Sequence, residues 1–310
     1  MAHDFWGVAD IATINNRNLA DIDGITDLLQ DAPVLARMNA TTASNGKKHQ
    51  YKVRNGAPVV TFRNVNQGKE HSKGSYRIVE ADLEYLDPST QVDVAEAALW
   101  KGGSAAFVAD NNMDHLREGF ATTERQFFYG EGGADANDAT GFKGLADAFG
   151  TLANSNVLDG GGAGASLSSV WAIRTTPDHK NCSVVLGNEG NITVSNPVKQ
   201  QVKEEGSEKT YWAWCTEIGA WISVAVGSKW SVFRLANVAN LNDNMLGAMF
   251  SKMKGGKPTF LAMTMDVQEQ LRQSRTATNE RGAPAPTPMD FQGVDIVTTN
   301  QLRDDETAVA

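Results

Sequence analysis

Two acidic runs in this sequence have the residue types needed for hydrolysis, but neither has a suitable context. Adjacent acids occur at Glu204-Glu205 and at Asp304-Asp305-Glu306. General acid catalysis by a carboxyl group needs an apolar pocket that raises its pKa, whereas both runs lie in hydrophilic stretches where acids are usually solvated. The GxSxG turn that would carry a serine nucleophile does not occur. The sequence therefore predicts no catalytic residues.

Metal and nucleotide sites have no better support from the residue spacing. The run DANDATG at residues 135–141 begins like a calcium loop, but Ala139 and Thr140 stand where an EF-hand needs an oxygen ligand and a glycine. A structural zinc needs four ligands, and the five His and two Cys of the chain are scattered. The run GGGAGAS at residues 160–166 lacks the full dinucleotide-binding pattern, and no GxxxxGK[ST] phosphate loop occurs. We expect neither a metal nor a cofactor.

The tryptophan-rich segment is the remaining candidate for ligand binding. Trp212 and Trp214 share one face of a strand-like run, and Trp221 and Trp230 follow. Such a row can stack on sugars or bases, so a soluble carbohydrate-active enzyme stays open as an alternative. Aromatic side chains more often pack in a core or an interface, and that interpretation is favoured here.

Size and composition indicate a soluble globular protein. The 310 residues are 41% hydrophobic and 21% charged, and no apolar run approaches the roughly eighteen residues that span a bilayer. The N-terminus carries acids where a secretory signal has bases, so we expect a cytoplasmic protein with Cys182 and Cys215 reduced. A net charge of −9, from 28 bases and 37 acids, argues against a dedicated nucleic-acid-binding domain.

A long charged hairpin is predicted over residues 45–91. Its limbs alternate apolar and polar residues, and a polar tip at residues 64–75 separates them. The apolar positions are Tyr51, Val53, Val60 and Phe62 in the first limb and Val79, Ala81, Leu83 and Tyr85 in the second. A lone two-stranded ribbon is marginal in water. The segment is therefore either a wandering loop or a ribbon that becomes stable on a neighbouring subunit.

The charge of this hairpin is strongly divided. Residues 47–77 are basic with a single acid, Glu70, whereas residues 80–96 contain acids and no base. Opposite patches of this kind can pair copies of one chain head to tail. The candidate inter-subunit contact residues are Arg54, Arg63, Lys69 and Lys73 on the basic part and Glu80, Asp82 and Glu84 on the acidic part. A solvated surface hairpin with exposed ion pairs explains the pattern equally well.

Helices and short strands are predicted along the rest of the chain. Residues 21–38 have helical spacing until Pro33 interrupts it, and residues 92–129 form the strongest helix signal, with a break at Gly102-Gly103. Residues 167–264 contain short apolar runs separated by turns, which predict a mixed sheet. Further helices are predicted at residues 242–254 and 266–275.

These elements, in this order, resemble the major capsid proteins of tailed double-stranded-DNA bacteriophages, the Hong Kong 97-type family. NGAPVVTFRNVNQG followed by RIVEADLEYLDPSTQVD is similar to the family's extended loop and the start of its spine helix. The Tyr129-Gly130 loop and the segment Phe142-Lys143-Gly144-Leu145 resemble the link that follows this helix. SVWAI, YWAW, WISVAV and FRLANVANL resemble the axial domain, and MDFQGVDIVTTNQL resembles the strand that closes the peripheral domain.

The resemblance implies an α+β fold with a defined division of the chain. An N-terminal arm would occupy residues 1–45 and the extended β-hairpin loop residues 46–91. A peripheral domain with the spine helix would cover residues 92–165, and an axial domain with a mixed sheet and helices residues 166–275. Residues 276–310 would return to the peripheral domain.

The implied function is that of a structural subunit rather than an enzyme. Pentamers and hexamers of the chain would form an icosahedral head around the double-stranded DNA, assembled in the host cytoplasm and retained in the virion. No long helical extension precedes residue 1, so a separate scaffolding protein, or a segment removed earlier, is expected, together with a portal and in some shells a decoration protein. An encapsulin-type nanocompartment shares the fold but encloses an enzyme, and the cargo groove that would favour it is not visible in the sequence.

Overall fold

The computed structural model describes residues 29–164, 166–177, 180–204, 206–277 and 283–310. Its first helix, α1, is Pro33–Arg37, and strand β1, Ala40–Thr42, follows. Pro33 begins this helix because proline at the first helical turn gives up no intrahelical hydrogen bond. Residues 29–32 are not helical, so no helix of the described residues runs into Pro33; the predicted helix before residue 29 lies outside the described residues and stays a prediction.

The hairpin is shorter than predicted. Strands β2, Lys48–Gly56, and β3, Ser75–Asp82, pair antiparallel, with Lys48 opposite Asp82. Residues 57–74 contain no strand, so the prediction of a strand through Val60 and Phe62 is wrong. A strand needs a partner for its backbone, and the described part of the chain provides none there. The second limb also ends early, because β4, Glu84–Leu86, belongs to another sheet.

The long helix follows its prediction closely. Strand β5, Thr90–Asp93, precedes helix α2, Val94–Leu99, whose first turn is capped by the Asp93 carboxylate accepting from the Ala95 N–H. Helix α3, Ser104–Tyr129, starts after the predicted glycine break, where Gly103 takes a φ of 90°. The predicted start at residue 92 is early because residues 90–93 pair with a strand instead.

The remaining elements complete the described chain. They are α4 Leu145–Ala148, β6 Val157–Asp159, β7 Ser168–Ile173, β8 Cys182–Leu186, β9 Thr193–Val194, β10 Val198–Lys203, β11 Thr210–Thr216, β12 Ile218–Val226, β13 Val232–Val238, α5 Asp243–Lys252, β14 Phe260–Met263, α6 Met265–Ala277, β15 Asp290–Phe291 and β16 Val294–Thr298.

The strands form separate sheets that cross sequence order. The largest has the order β15-β16-β14-β7-β13-β6; a second has the order β1-β8-β12-β4, with β9 on β12; and a third has the order β10-β11-β5. The apolar run at residues 211–222, read from the sequence as one segment, contains two strands, β11 and β12, which separate at Glu217 and enter different sheets.

The main core joins distant parts of the sequence. Leu35 of α1, Phe127 of α3, Trp171 of β7 and Leu302 of the tail are all buried in one cluster. The tail strand β16 pairs in parallel with β14. The proposed domains at residues 92–165, 166–275 and 276–310 therefore share one core, and the division itself stays a prediction. No helix in the described ranges combines the length and apolar character of a membrane span.

Candidate functional site

The distal loop, residues 57–74, exposes apolar side chains that the described part of its own subunit leaves uncovered. Val60 is 79% exposed, Val65 87%, and Phe62 fully exposed. The contacts that hold the loop are local: the Ser72 hydroxyl donates to the Val59 carbonyl at 2.8 Å and Arg63 donates to the Gln67 carbonyl at 3.2 Å. An apolar group of this size on an exposed arm is typical of an interaction surface.

The hairpin is anchored at its base. The Val226 N–H of β12 donates to the Tyr51 hydroxyl at 3.4 Å, and the buried His49 ring stacks on Tyr51 at 5.8 Å. Burial raises the pKa of Tyr51. The opposite face of the ribbon exposes Ile78 and Tyr76 to solvent.

An open groove separates the inward face of the ribbon from the body of the subunit. Its volume is about 520 Å³, and Val53 and Val79 line one side while Phe142, Leu145 and Phe149 line the other. Because this space lies between them, the ribbon does not pack closely on the body along its length. The subunit thus holds the hairpin chiefly at its base.

The predicted acidic contact residues already have cations near them in the same chain. Lys48 Nζ lies 3.3 Å from Glu80 Oε2 and 3.5 Å from Asp82 Oδ1, and Lys47 Nζ lies 4.0 Å from Glu84 Oε2. Hydrogen bonding to Glu80, reinforced by the charge of Asp82, raises the pKa of Lys48. These pairs are solvent-exposed and contribute little stability, so they can exchange for a partner on another subunit.

The predicted basic contact residues are spread along the ribbon and its tip. Arg54 lies on β2 opposite Tyr76, whereas Arg63, Lys69 and Lys73 lie in the distal loop. All four are exposed, and no ion pair involves them within the described residues. The structure thus places the basic set beyond the acidic set along the same arm.

Sequence reasoning missed the apolar part of this surface. It assigned the run VVTF to a strand limb, although Val59, Val60 and Phe62 are exposed and unpaired. The sequence feature that could have identified these exposed residues is an apolar run beside a polar tip. No later segment in the hairpin has an alternating pattern that could pair with this run as a second strand. The sequence pattern places Lys47 and Lys48 in the basic arm and does not show that they pair with the neighbouring acids.

One of the acids considered for hydrolysis is buried, contrary to the expectation that all are solvated. Glu306 is 2% exposed and accepts hydrogen bonds from Arg234 at 2.8 Å, Ser169 at 2.5 Å and Tyr129 at 2.7 Å. Burial, together with the Glu306 charge, raises the pKa of the Tyr129 hydroxyl. Both carboxylate oxygens are occupied by the chain itself, so this network anchors the tail. Glu204 is exposed, and Glu205 lies outside the described residues.

The other candidate ligands have structural roles. Asp138 accepts from the N–H and hydroxyl of Thr140, both at 2.8 Å; this is an Asx turn, and the backbone bond in particular lowers the pKa of Asp138. Within the described ranges no group of His, Cys, Asp or Glu is arranged to hold a metal ion.

Trp214 packs against the core of α2 and α3, whereas Trp212 is 54% exposed with Lys199 over its ring. Cys182 is buried and Cys215 is partly buried.

One family model and several solved structures are similar to this chain. A family model described as major capsid protein GP7 matches residues 18–310. A bacteriophage Epsilon15 structure is similar over 100% of this chain and 98% of that chain, with 16% identity and a TM-score of 0.62. The bacteriophage JBD30 capsid matches 85% of this chain and 88% of that chain, with 10% identity and a TM-score of 0.48, too low to support further argument. No curated protein matches the sequence.

The Epsilon15 likeness concerns the fold alone at this identity, and it confirms the predicted α+β architecture of the Hong Kong 97 type. The family match supports a structural subunit of a phage head, and it favours neither the encapsulin-type shell nor the carbohydrate-active enzyme.

Proposed function

Because this chain belongs to the GP7 family of major capsid proteins, we propose that its copies join in rings of five and six, in which the projecting hairpin lies across the adjacent subunit. The chain is a structural head subunit and not an enzyme. In this proposal the rings close into an icosahedral head around double-stranded DNA. The observation that carries the proposed contact is the distal loop, whose exposed apolar and basic side chains have no partner surface among the described residues of their own subunit.

Apolar burial supplies most of the affinity in this proposal. Covering a Val or Phe side chain contributes about 1.5–3 kcal/mol. The distal loop offers Val59, Val60, Phe62 and Val65 for such burial. Exposed ion pairs contribute less and depend on salt. Charges at Arg63, Lys69 and Lys73 therefore guide the approach and register of the hairpin, and closure of the shell multiplies each modest contact.

The division of labour within the subunit follows the family resemblance. Residues 166–275 would gather copies around the five-fold and six-fold axes. Residues 92–165 would meet neighbours around the three-fold axes, and the hairpin would lie across the adjacent subunit. The acids Glu80, Asp82 and Glu84 are the proposed receivers of a neighbour's basic loop, exchanging their internal lysine partners for it.

Further partners belong to the same proposal. A separate scaffolding protein would guide assembly in the host cytoplasm, a portal would admit the DNA, and a decoration protein would bind the shells that carry one. A net charge of −9 suits a wall that encloses DNA without binding it tightly.

Negative-stain electron microscopy of purified particles tests this function. Expression with the neighbouring head genes should give closed shells of uniform size, and nuclease-protected DNA should be present in shells from lysates of infected cells. Shells that contain a host enzyme instead of nucleic acid would support the nanocompartment alternative. Monomers alone, under conditions where the scaffold is present, would contradict the proposal.

A further inference from the structure

Glu124 is a fully buried carboxylate that joins three separate parts of the chain. It lies on α3, and its Oε2 accepts hydrogen bonds from the backbone N–H groups of Val34 at 2.9 Å and Leu35 at 3.0 Å in α1. Its Oε1 accepts from the hydroxyl of Thr299, which follows β16, at 2.5 Å. Within the described residues no Lys, Arg or His forms an ion pair with it.

The charged groups on the surrounding elements are engaged elsewhere. Near α1, Arg37 pairs with Asp295 of β16 at 2.6 Å. On α3, Arg117 lies 3.8 Å from Asp31, and Arg125 donates to the Gln301 side chain at 2.8 Å. The remaining charged or titratable side chains on these elements are Asp110, Asp114, His115 and Glu118 on α3 and Arg303, Asp304, Asp305 and Glu306 in the tail. None of them neutralises the Glu124 carboxylate, so its ionisation introduces a buried charge that hydrogen bonds alone must stabilise.

We propose that Glu124 is a pH-sensitive latch for residues 33–38, and that its ionisation makes this segment open from α3 more often. The buried side chains of Val34, Leu35 and Met38 hold the segment at every pH. The latch therefore changes how often the segment opens and does not detach it outright. The inference depends on the fold of the subunit and not on the proposed assembly contacts.

The direction of the effect follows from the environment of the carboxyl. Burial raises the pKa of Glu124 to about 7, while the hydrogen bonds from Thr299, Leu35 and Val34 act in the opposite direction. In the opened state the carboxyl meets water and regains its ordinary pKa of 4.5. The latch is thus fully effective below the ordinary pKa and weakens as the pH rises towards and through 7. Between pH 6 and pH 8 the closed-to-open ratio should fall about tenfold.

Hydrogen exchange of the full chain tests the latch. The opening equilibrium of the amides in residues 33–38 should rise about tenfold between pH 6 and pH 8, after correction for intrinsic exchange. Strand β14, Phe260–Met263, serves as the internal reference and should not change. Glu124→Gln should remove the pH dependence, and Glu118→Gln, an exposed change on the same helix, should leave it as in the parent. A flat profile in the parent, or an unchanged slope in Glu124→Gln, would overturn the proposal.

A second variant decides the matter if Glu124→Gln does not fold. Thr299→Val removes a hydrogen bond that lowers the pKa of Glu124, without changing the carboxyl itself. The midpoint of the opening transition should then move to higher pH. An unmoved midpoint, or one moved to lower pH, would show that the pH dependence of this segment does not come from Glu124.

Discussion

At the scale of single residues, a buried ion pair between Arg234 and Glu306 holds the C-terminal tail against the core. Arg234 of β13 is 3% exposed and donates to Glu306, Ser169 and the Phe149 carbonyl. Its guanidinium also lies 5.0 Å from the Trp171 ring centroid. Each nitrogen of the Arg234 guanidinium and each oxygen of the Glu306 carboxylate has a hydrogen-bond partner, which is the condition under which a buried ion pair is tolerated.

Glu306→Ala should therefore be strongly destabilising. Removing the carboxylate leaves the Arg234 guanidinium buried without its counter-ion, which costs about 3–5 kcal/mol. Chemical denaturation of the free subunit measures the loss. Asp305→Ala is the matched control, because Asp305 is exposed and pairs with the exposed Arg303, so its midpoint should stay close to that of the parent. Equal losses in the two variants would contradict the role assigned to Glu306.

The burial of Glu306 could not be predicted from the sequence. Asp304, Asp305 and Glu306 form one hydrophilic run, and no local pattern distinguishes the third acid from the other two. Its environment is decided by Arg234, 72 residues earlier. The same limit applies to Glu124, whose partners Val34 and Thr299 lie 90 and 175 residues away.

At the scale of elements, the end of α3 is closed by a glycine and a carboxylate. Gly130 takes a φ of 68°, and the Asp147 carboxylate accepts from the N–H groups of Glu131, Gly132 and Gly144 at 2.8–3.1 Å. A side chain at Gly130 would overlap both the Asp147 carboxylate and the Gly144 backbone. The Tyr-Gly loop and the aromatic-x-Gly-Leu segment identified in the sequence thus meet at Asp147.

Gly130→Ala should destabilise the subunit more than Gly133→Ala. Both positions have positive φ, but no atom lies within 4 Å of a side chain added at Gly133. Backbone strain costs about 1–2 kcal/mol at either position, and the overlap at Gly130 adds about 1–3 kcal/mol. Thermal unfolding of the two variants measures the difference. Similar melting temperatures in the two variants would show that Asp147 and the Gly144 backbone can move aside at little cost in free energy, which would contradict the prediction.

Elements were predictable where local signals determine them. The break at Gly102-Gly103 and the strand β8 follow from glycine and from a short apolar run. The separation of β11 from β12 does not follow from any local signal, because it depends on which sheet each strand joins. The unpaired Val60 and Phe62 illustrate the same point, because alternation predicts a strand but cannot supply its partner.

At the scale of the whole molecule, the hairpin is held by the described part of its own subunit chiefly at its base. Its base is tied to β12 through Tyr51, while the distal loop projects into solvent. The order and type of most elements, and hence the family, could be read from the sequence. The receiving surface on a neighbour could not, because it depends on the arrangement of copies.

Arg63→Glu should impair assembly without unfolding the subunit. Arg63 is exposed, and within the described residues its side chain bonds only to the nearby Gln67 carbonyl, so the melting temperature should stay near that of the parent. Reversing the charge replaces attraction to a neighbour's acids by repulsion at every copy. Light scattering and electron microscopy should show soluble subunits that fail to close, or close only at raised salt. Arg63→Lys, which keeps the charge, should assemble; normal assembly of Arg63→Glu at low ionic strength would exclude electrostatic guidance.

The most direct test of hairpin-mediated assembly is hydrogen exchange of residues 57–74 in free subunits and in closed shells. In free subunits these amides should exchange as in an unstructured peptide, while those around Phe127 in α3 are protected. In shells the same loop should become protected, because a neighbouring subunit covers it. Strong protection in the free subunit, or no gain in protection on assembly, would contradict the account.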